Sequence, residues 1–348
     1  MTLTTAIERF DEVVGERHFR RQLAEFCAVN WGIVADIDTL GAEKDLIFAV
    51  RCCETDSDYV LRLSHPERSQ AELELQTAAM AHVYRKRGAG FFPRPIPGAD
   101  GTYISSFAVS GDLHLRSTLS TWVKGTLLIA TQRTEAQAQN VGVAIGALSE
   151  ALSDFDHPAS RHAMDWDIAR CGEVLALTPA IEDASTRRLV EAAVERFVGK
   201  TAPLLAEAEH QVIHADATPY NVLVSETNTD RVTGIIDFGD TVYSARVCDV
   251  GVGASYLMER RQNALRMPAA LVRGFETVCP LSVLERQLLV PLMEARHAMT
   301  VAITTEHAQR RPANSAAITK NTLTAIEGLK ALSRKSHAEW TADLLSQI

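Results

Sequence analysis

Apolar and polar positions alternate in short runs along the first third of the chain. Residues 46–51 and 59–63 are β-prone, and the polar stretch CETDSD between them has turn chemistry. From residue 67 to 87 the period lengthens. Leu73, Gln76, Met80 and Val83 recur at three- and four-residue steps, and Gly88 falls where a helix C-terminal glycine belongs. FFPRPIPG then breaks the chain, and residues 102–109 and 119–123 add two further strands. Beyond about Gly125 the period is helical. Ala138, Val141, Ile145, Leu148, Leu152 and Phe155 trace one apolar stripe, and Leu189, Ala193 and Phe197 a second, stopped at Gly199. Residues 282–332 hold two more helices separated by HAQRRPANS. The stripes are core packing and carry no chemistry. The change of period predicts two domains, residues 1–124 and 125–348.

One stretch of the helical part departs from this pattern. Residues 212–249 read VIHADATPYNVLVSETNTDRVTGIIDFGDTVYSARVCD. Residues 211–214, 221–225 and 231–238 are strand-like, and SETNTD is turn chemistry. A hairpin-like ribbon of this kind brings Asp216, Asn221 and Asp237 together. Their order, D-x-x-x-x-N and then an apolar strand and Asp-Phe-Gly, is the order of a kinase catalytic loop. It fits phosphoryl transfer, in which one carboxylate (Asp216) accepts a proton from an attacking hydroxyl. An amide and a second carboxylate (Asn221, Asp237) hold magnesium against the nucleotide phosphates. His214 reads as a structural residue that hydrogen-bonds backbone near the Asp-Phe-Gly step. Asp249 reads either as a helix N-terminal carboxylate favoured by the dipole or as a brace for the catalytic loop.

On these residues the chain resembles the aminoglycoside phosphotransferase and choline kinase family, whose members carry H-G-D-x-x-x-x-N followed by I-D-F or I-D-W. Here Ala215 stands in place of the glycine. Within that family IIDFGDTVYS, VLRLSHPERSQAELELQTAAMAHV, LSTWVKG and GFETVCPLSVLERQLL are similar to the hydroxylysine-kinase-like branch. The resemblance runs from about Gly41 onward. It implies an α+β, protein-kinase-like two-lobe fold, with a small mixed N-terminal lobe that clamps the nucleotide and a mainly helical C-terminal lobe. It also implies Mg2+ and ATP or GTP, and a small-molecule acceptor that bears an amine and a hydroxyl, such as 5-hydroxylysine. An aminoglycoside, choline or homoserine is the alternative acceptor.

The same resemblance assigns further residues. Gly41 and Ala42 begin the phosphate-covering loop Gly41-Ala42-Glu43-Lys44-Asp45. Arg62 on the third strand neutralises phosphate, and Gln76, with Glu72 and Glu74 nearby, stands where a helix acid orients that cation. The segment 120–125, with Thr121, Trp122 and Val123, is the hinge whose backbone reads the purine. Independently of that resemblance, position and charge make Asp240, just after the Asp-Phe-Gly step, the group to hold a substrate ammonium. Glu294, Arg296 and Asn314, on or between the late helices, complete the acceptor pocket, with Arg296 suited to a substrate carboxylate.

Composition narrows the rest. In 348 residues, 46% are hydrophobic and 23% charged, ordinary for a globular enzyme large enough for two lobes. A net charge of −9 argues against nucleic acid as a main partner. Six cysteines without metal spacing read as reduced thiols in a cytoplasm. No stretch is apolar enough to span a membrane, and MTLTTAIERFDE does not read as a signal peptide. Homodimerisation is left open. Two other classes stay in view: an iron-binding triad of His214, Asp216 and His297, and a nucleotide-binding pseudokinase motivated by Arg62 and Gln76.

Overall fold

The alternating runs of the first third form an antiparallel sheet backed by a helix. The computed structural model describes residues 17–41, 45–110, 113–259 and 264–348. Contacts divide the chain into two units, Met1–Val123 with His157–Ala159, and Lys124–Asp156 with Ser160–Ile348.

Among the described residues, the first unit holds helix α1 (Arg17–Trp31), strands β1 (Ala35–Thr39), β2 (Leu46–Cys52) and β3 (Asp58–Leu63), and helix α2 (Gln70–Arg87). Strands β4 (Pro95–Ile96), β5 (Ser105–Ser110) and β6 (Leu113–Thr121) follow. The strand order is β1-β2-β3-β6-β4, with β5 also paired to β6. Phe19, Leu23 and Cys27 of α1 join the sheet residues Phe48, Leu61, Leu63, Phe107 and Leu115 in one apolar cluster. The Phe19 ring meets Phe107 edge-on at 5.6 Å. Helix α2 begins with a capping box, Ser69 against Glu72, and ends at Gly88 with φ +79°. Strand β6 starts six residues before the expected 119–123 segment. Its Ser117 and Thr118 are polar yet buried, which hides the alternation from a reading of hydropathy.

In the second unit, β7 (Thr126–Leu127) leads to α3 (Glu135–Leu152), whose stripe Ala138, Val141, Ile145, Leu148 and Leu152 is buried as expected. Helix α4 (Ala184–Arg196) carries Val190 and Ala193 into the core. Gly199 does not stop it. The helix widens over Phe197–Thr201, where the Ala202 N–H reaches the Phe197 carbonyl, and continues through Ala202–Leu205.

Four strands follow: β8 (His210–Ile213), β9 (Val222–Val224), β10 (Val232–Ile235) and β11 (Val242–Ala245). They do not form one ribbon. β9 pairs with β10 and β7, whereas β8 pairs with β11. The partner of β8 lies beyond the Asp-Phe-Gly step, so hydropathy within 211–238 could not show it.

Helices α5 (Val247–Leu257), α6 (Arg266–Glu276), α7 (Val283–Arg310), α8 (Thr322–Leu332) and α9 (His337–Leu345) complete the unit. α3 and α6 touch backbone to backbone. A Cβ on Gly142 would lie 1.8 Å from the Leu271 carbonyl oxygen, and one on Gly274 would lie 1.8 Å from that of Gln139. Of this pair, α3 also packs against strands β8 and β10, which flank the polar motif.

Candidate active site

Strand β8 ends at Ile213 and delivers the chain into a tight turn at His214, Ala215 and Asp216. The turn needs a left-handed backbone at Ala215, φ +63°. Such a conformation costs an L-residue roughly 1–2 kcal/mol, so surrounding bonds must impose it. Asp249, in the first turn of α5, does so. Its Oδ2 accepts from the His214 N–H at 3.1 Å and its Oδ1 from the Ala215 N–H at 2.7 Å. Of the two readings open for Asp249, the brace is the one the contacts support. Burial pushes its carboxyl up to about 6 despite those two bonds.

His214 is fully buried. Its Nε2 lies 3.1 Å from the Ile236 carbonyl oxygen, and its Nδ1 accepts from the Asp216 N–H at 3.3 Å. That pattern assigns the neutral Nε2–H tautomer. Burial holds the imidazole down to about 4, and Phe238 packs edge-on against it at 5.0 Å. His214 therefore ties the turn to the strand that carries Asp237.

Asn221 closes the loop. Its Nδ2 donates to the Asp216 carbonyl at 3.0 Å and to Asp216 Oδ2 at 2.6 Å. Its backbone carbonyl accepts from the Ile236 N–H at 2.9 Å. Ile236 thus stitches both catalytic segments together, one bond through its carbonyl and one through its amide. Asp237, the next residue, is also left-handed at φ +63°. Its Oδ1 caps the short turn Phe238–Asp240 through the Gly239 N–H at 3.0 Å. The Asn221 amide oxygen and the Asp237 carboxylate are hard oxygen donors. Such a set fits Mg2+, which takes one or two carboxylates and fills its remaining positions with phosphate oxygens and water.

Arg296 was expected at a substrate carboxylate. Its guanidinium instead meets Asp216: Nη2 donates to Oδ1 at 2.9 Å, and Nη1 donates to the Trp166 carbonyl at 3.2 Å. The guanidinium lies over the Trp166 ring at 4.6 Å and near the Tyr256 ring at 5.8 Å. Asp240 is half-buried and adds its negative charge to the surroundings of Arg296. Glu294, expected in the acceptor pocket, is buried against the Arg196 guanidinium and the His337 imidazole. Arg196 is 2.7 Å and His337 2.8 Å from its oxygens. Two residues apart on α7, Glu294 and Arg296 face different neighbours. Asn314 is exposed on the turn Pro312–Asn314.

The iron triad does not assemble. His297 Nε2 lies 3.4 Å from Met258 Sδ and packs on Gly328. Among the described residues, no three His, Cys, Asp or Glu side chains are placed to hold a metal ion. Nor, among those residues, is any helix long and apolar enough to cross a membrane.

In the first unit, Arg62 on β3 pairs with Asp45, Nη1 to Oδ2 at 2.8 Å. The same carboxylate pairs with Arg68 at 3.2 Å and accepts from the His65 N–H at 2.9 Å. Gln76, expected to orient the Arg62 cation with Glu72 and Glu74 nearby, is buried on α2. Asp45, at the loop end entering β2, is the acid that meets Arg62. Gly41 is left-handed at φ +82°. Ala42, Glu43 and Lys44 lie outside the described residues. Of the three hinge residues, two amides are already used. The Thr121 N–H bonds the Arg94 carbonyl at 2.9 Å and the Trp122 N–H the Asp58 carbonyl at 3.0 Å. Val123 is nearly buried.

The geometry agrees with sequence comparison. Residues 41–277 match the phosphotransferase enzyme family, and the chain belongs to that family. It is 26% identical to hydroxylysine kinase of Mus musculus, with 81% of this chain and 80% of the relative covered. Among solved structures, a microcompartment-associated aminopropanol kinase superposes with a TM-score of 0.70 at 19% identity, covering 90% of this chain and 97% of that one. Amicoumacin kinase in complex with AMP-PNP, Ca2+ and Ami superposes with a TM-score of 0.69 at 12% identity, covering 96% and 99%. The fold is that of the protein-kinase-like phosphotransferases.

Proposed function

We propose that this phosphotransferase moves the γ-phosphoryl group of ATP or GTP to the hydroxyl of a small amine-bearing acceptor, a hydroxylated amino acid such as 5-hydroxylysine being the first candidate. The observation that carries this reading is the fixed carboxylate of Asp216, bonded through both oxygens and coupled by Asn221 and Ile236 to Asp237. Asp216 accepts the acceptor hydroxyl proton as the new O–P bond forms. The bond from the γ-phosphorus to its bridging oxygen breaks, and the nucleoside diphosphate leaves. Asn221 and Asp237 hold magnesium, which when bound neutralises charge on the phosphates. Arg62, oriented by Asp45, offers a cation to the nucleotide phosphates. Purine recognition uses the remaining backbone of the 120–125 segment, Val123 included, since the Thr121 and Trp122 amides are engaged.

Asp240 takes the acceptor ammonium. An unpaired ammonium in a partly desolvated pocket costs several kcal/mol, and Asp240 is the half-buried acid beside the Asp216–Arg296 pair. A second reading, an amino alcohol without a carboxylate, is favoured by one contact: Arg296, the cation expected to meet a substrate carboxylate, is bonded to Asp216. A turnover screen separates these readings. The acceptors are 5-hydroxylysine, 1-amino-2-propanol, choline and kanamycin, each with ATP and with GTP. Phosphorylation of the first or second supports the corresponding reading. No turnover with any amine-bearing alcohol would remove the proposal.

A further inference from the structure

We infer that Arg296 is a positioning residue for the Asp216 carboxylate and not a binding group for the acceptor. This rests on the reading of Asp216 as the base. Two restraints converge on that carboxylate. Asn221 Nδ2 holds Oδ2 at 2.6 Å, and Arg296 Nη2 holds Oδ1 at 2.9 Å. With one restraint the carboxylate can turn about its Cβ–Cγ bond. With two it cannot, and its remaining lone pairs keep a constant direction.

The guanidinium is itself immobilised. Its Nη1 is bonded to the Trp166 carbonyl, and it lies over the Trp166 ring. The side chain of Arg296 is 3% exposed and that of Asp216 is 25% exposed. The cation therefore lies deeper than the carboxylate, a quarter of whose side chain stays exposed.

Burying an arginine is expensive, and a structural role alone is better served by an apolar side chain. The Nε of Arg296 is buried without a hydrogen-bond partner, so the site keeps this arginine at the cost of an unsatisfied donor. Neighbours on the same helix do not account for it. Glu294 is occupied by Arg196 and His337, and burial together with the Arg296 charge holds His297 neutral, down to about 4. Asp216 and Asp240 both favour the Arg296 charge, and the bond to Asp216 is the one that fixes its direction. An acceptor carboxylate on the same guanidinium would have to compete with the base for it.

The test uses R296M and R296K in the full chain, with an amino alcohol and a hydroxy amino acid as acceptors. A misdirected catalytic group costs about 10²-fold in rate. R296M is expected to lower kcat by about that factor with both acceptors and to leave both KM values within about threefold, because the loss lies in the transition state. R296K restores part of kcat, since its charge still reaches Asp216 but without the planar fork. A selective rise in KM for the carboxylate-bearing acceptor, with kcat unchanged, would overturn the inference in favour of a substrate clamp. Wild-type kcat in R296M would overturn it as well.

A second arm needs no turnover, and so separates failure of this inference from failure of the kinase reading. D216N should lower the melting temperature in the wild-type background and much less in R296M. If R296M does not fold, D216N alone decides. An unchanged or raised melting temperature for D216N would show that the pair is not coupled.

Discussion

Asp249 accepts the backbone N–H groups of both His214 and Ala215, and so a buried carboxylate 34 residues downstream fixes the left-handed turn that aims Asp216. The strain at Ala215 and the brace that imposes it belong together.

Substitution at Ala215 reads that strain. Ala215→Gly relieves the left-handed penalty but loosens the unfolded chain and removes a buried methyl. Its stability should stay within about 1 kcal/mol of wild type. Ala215→Val places a β-branched residue at positive φ, and should destabilise by roughly 2 kcal/mol or more and depress kcat. Urea unfolding midpoints check both. A Val variant as stable as the Gly variant would mean that the turn relaxes freely.

Acid should destabilise the fold. His214 and His297 stay neutral in the native state down to about 4, so their contribution is present above the unfolded value of 6.5 and is lost as pH falls toward 4. Asp249 has the opposite sign. Raised to about 6, it favours the native state below 3.8, and that contribution is lost as pH rises through 6. Between pH 6 and 4 the unfolded chain binds two protons on these histidines against one on native Asp249. The net is one proton, and stability falls by about 1.4 kcal/mol per pH unit. Unfolding free energies at pH 7, 6, 5 and 4.5 measure the slope. A flat or rising profile on acidification would contradict it.

Magnesium should act through Asp237. A nucleotide at about 100 times its dissociation constant stabilises the binding-competent state by about 2.7 kcal/mol. D237A is expected to lose most of the part of that shift that depends on magnesium, in a thermal-shift titration with and without the metal. An intact magnesium response would move the ligand role elsewhere.

Asp240→Asn should raise the KM for the acceptor by at least about tenfold, as expected when a buried charge pair loses one partner, and change the nucleotide KM much less. Equal effects on both would take the ammonium away from Asp240.

The site was legible where its geometry is local. Asp216 and Asn221 share one loop, and the apolar strand before Asp237 marks itself by β-branched residues, so order and strand pattern singled out the three as candidates. Pairing across long separations was not legible. Nothing in residues 211–214 says that β8 lies against β11, and nothing in α7 says that Arg296 meets a carboxylate 80 residues upstream. Apolar periodicity located α2 and α3 because their core faces are apolar. It missed the first half of β6, where Ser117 and Thr118 are buried with the sheet, and misread Gly199, where the helix widens instead of ending. Asp45 escaped because a loop acid and a strand-entry acid look alike until Arg62 is placed beside it.

In the proposed reaction the Asp216 carboxylate receives the acceptor proton. The most direct measurement is single-turnover phosphoryl transfer by wild type and D216N, with saturating nucleotide, magnesium and the acceptor that the screen selects. The asparagine keeps the shape but cannot take the proton, and its single oxygen can accept from only one of Arg296 and Asn221. The rate of transfer should fall by roughly 10²–10⁴-fold while nucleotide binding is retained. Transfer by D216N at a rate close to wild type would contradict the account.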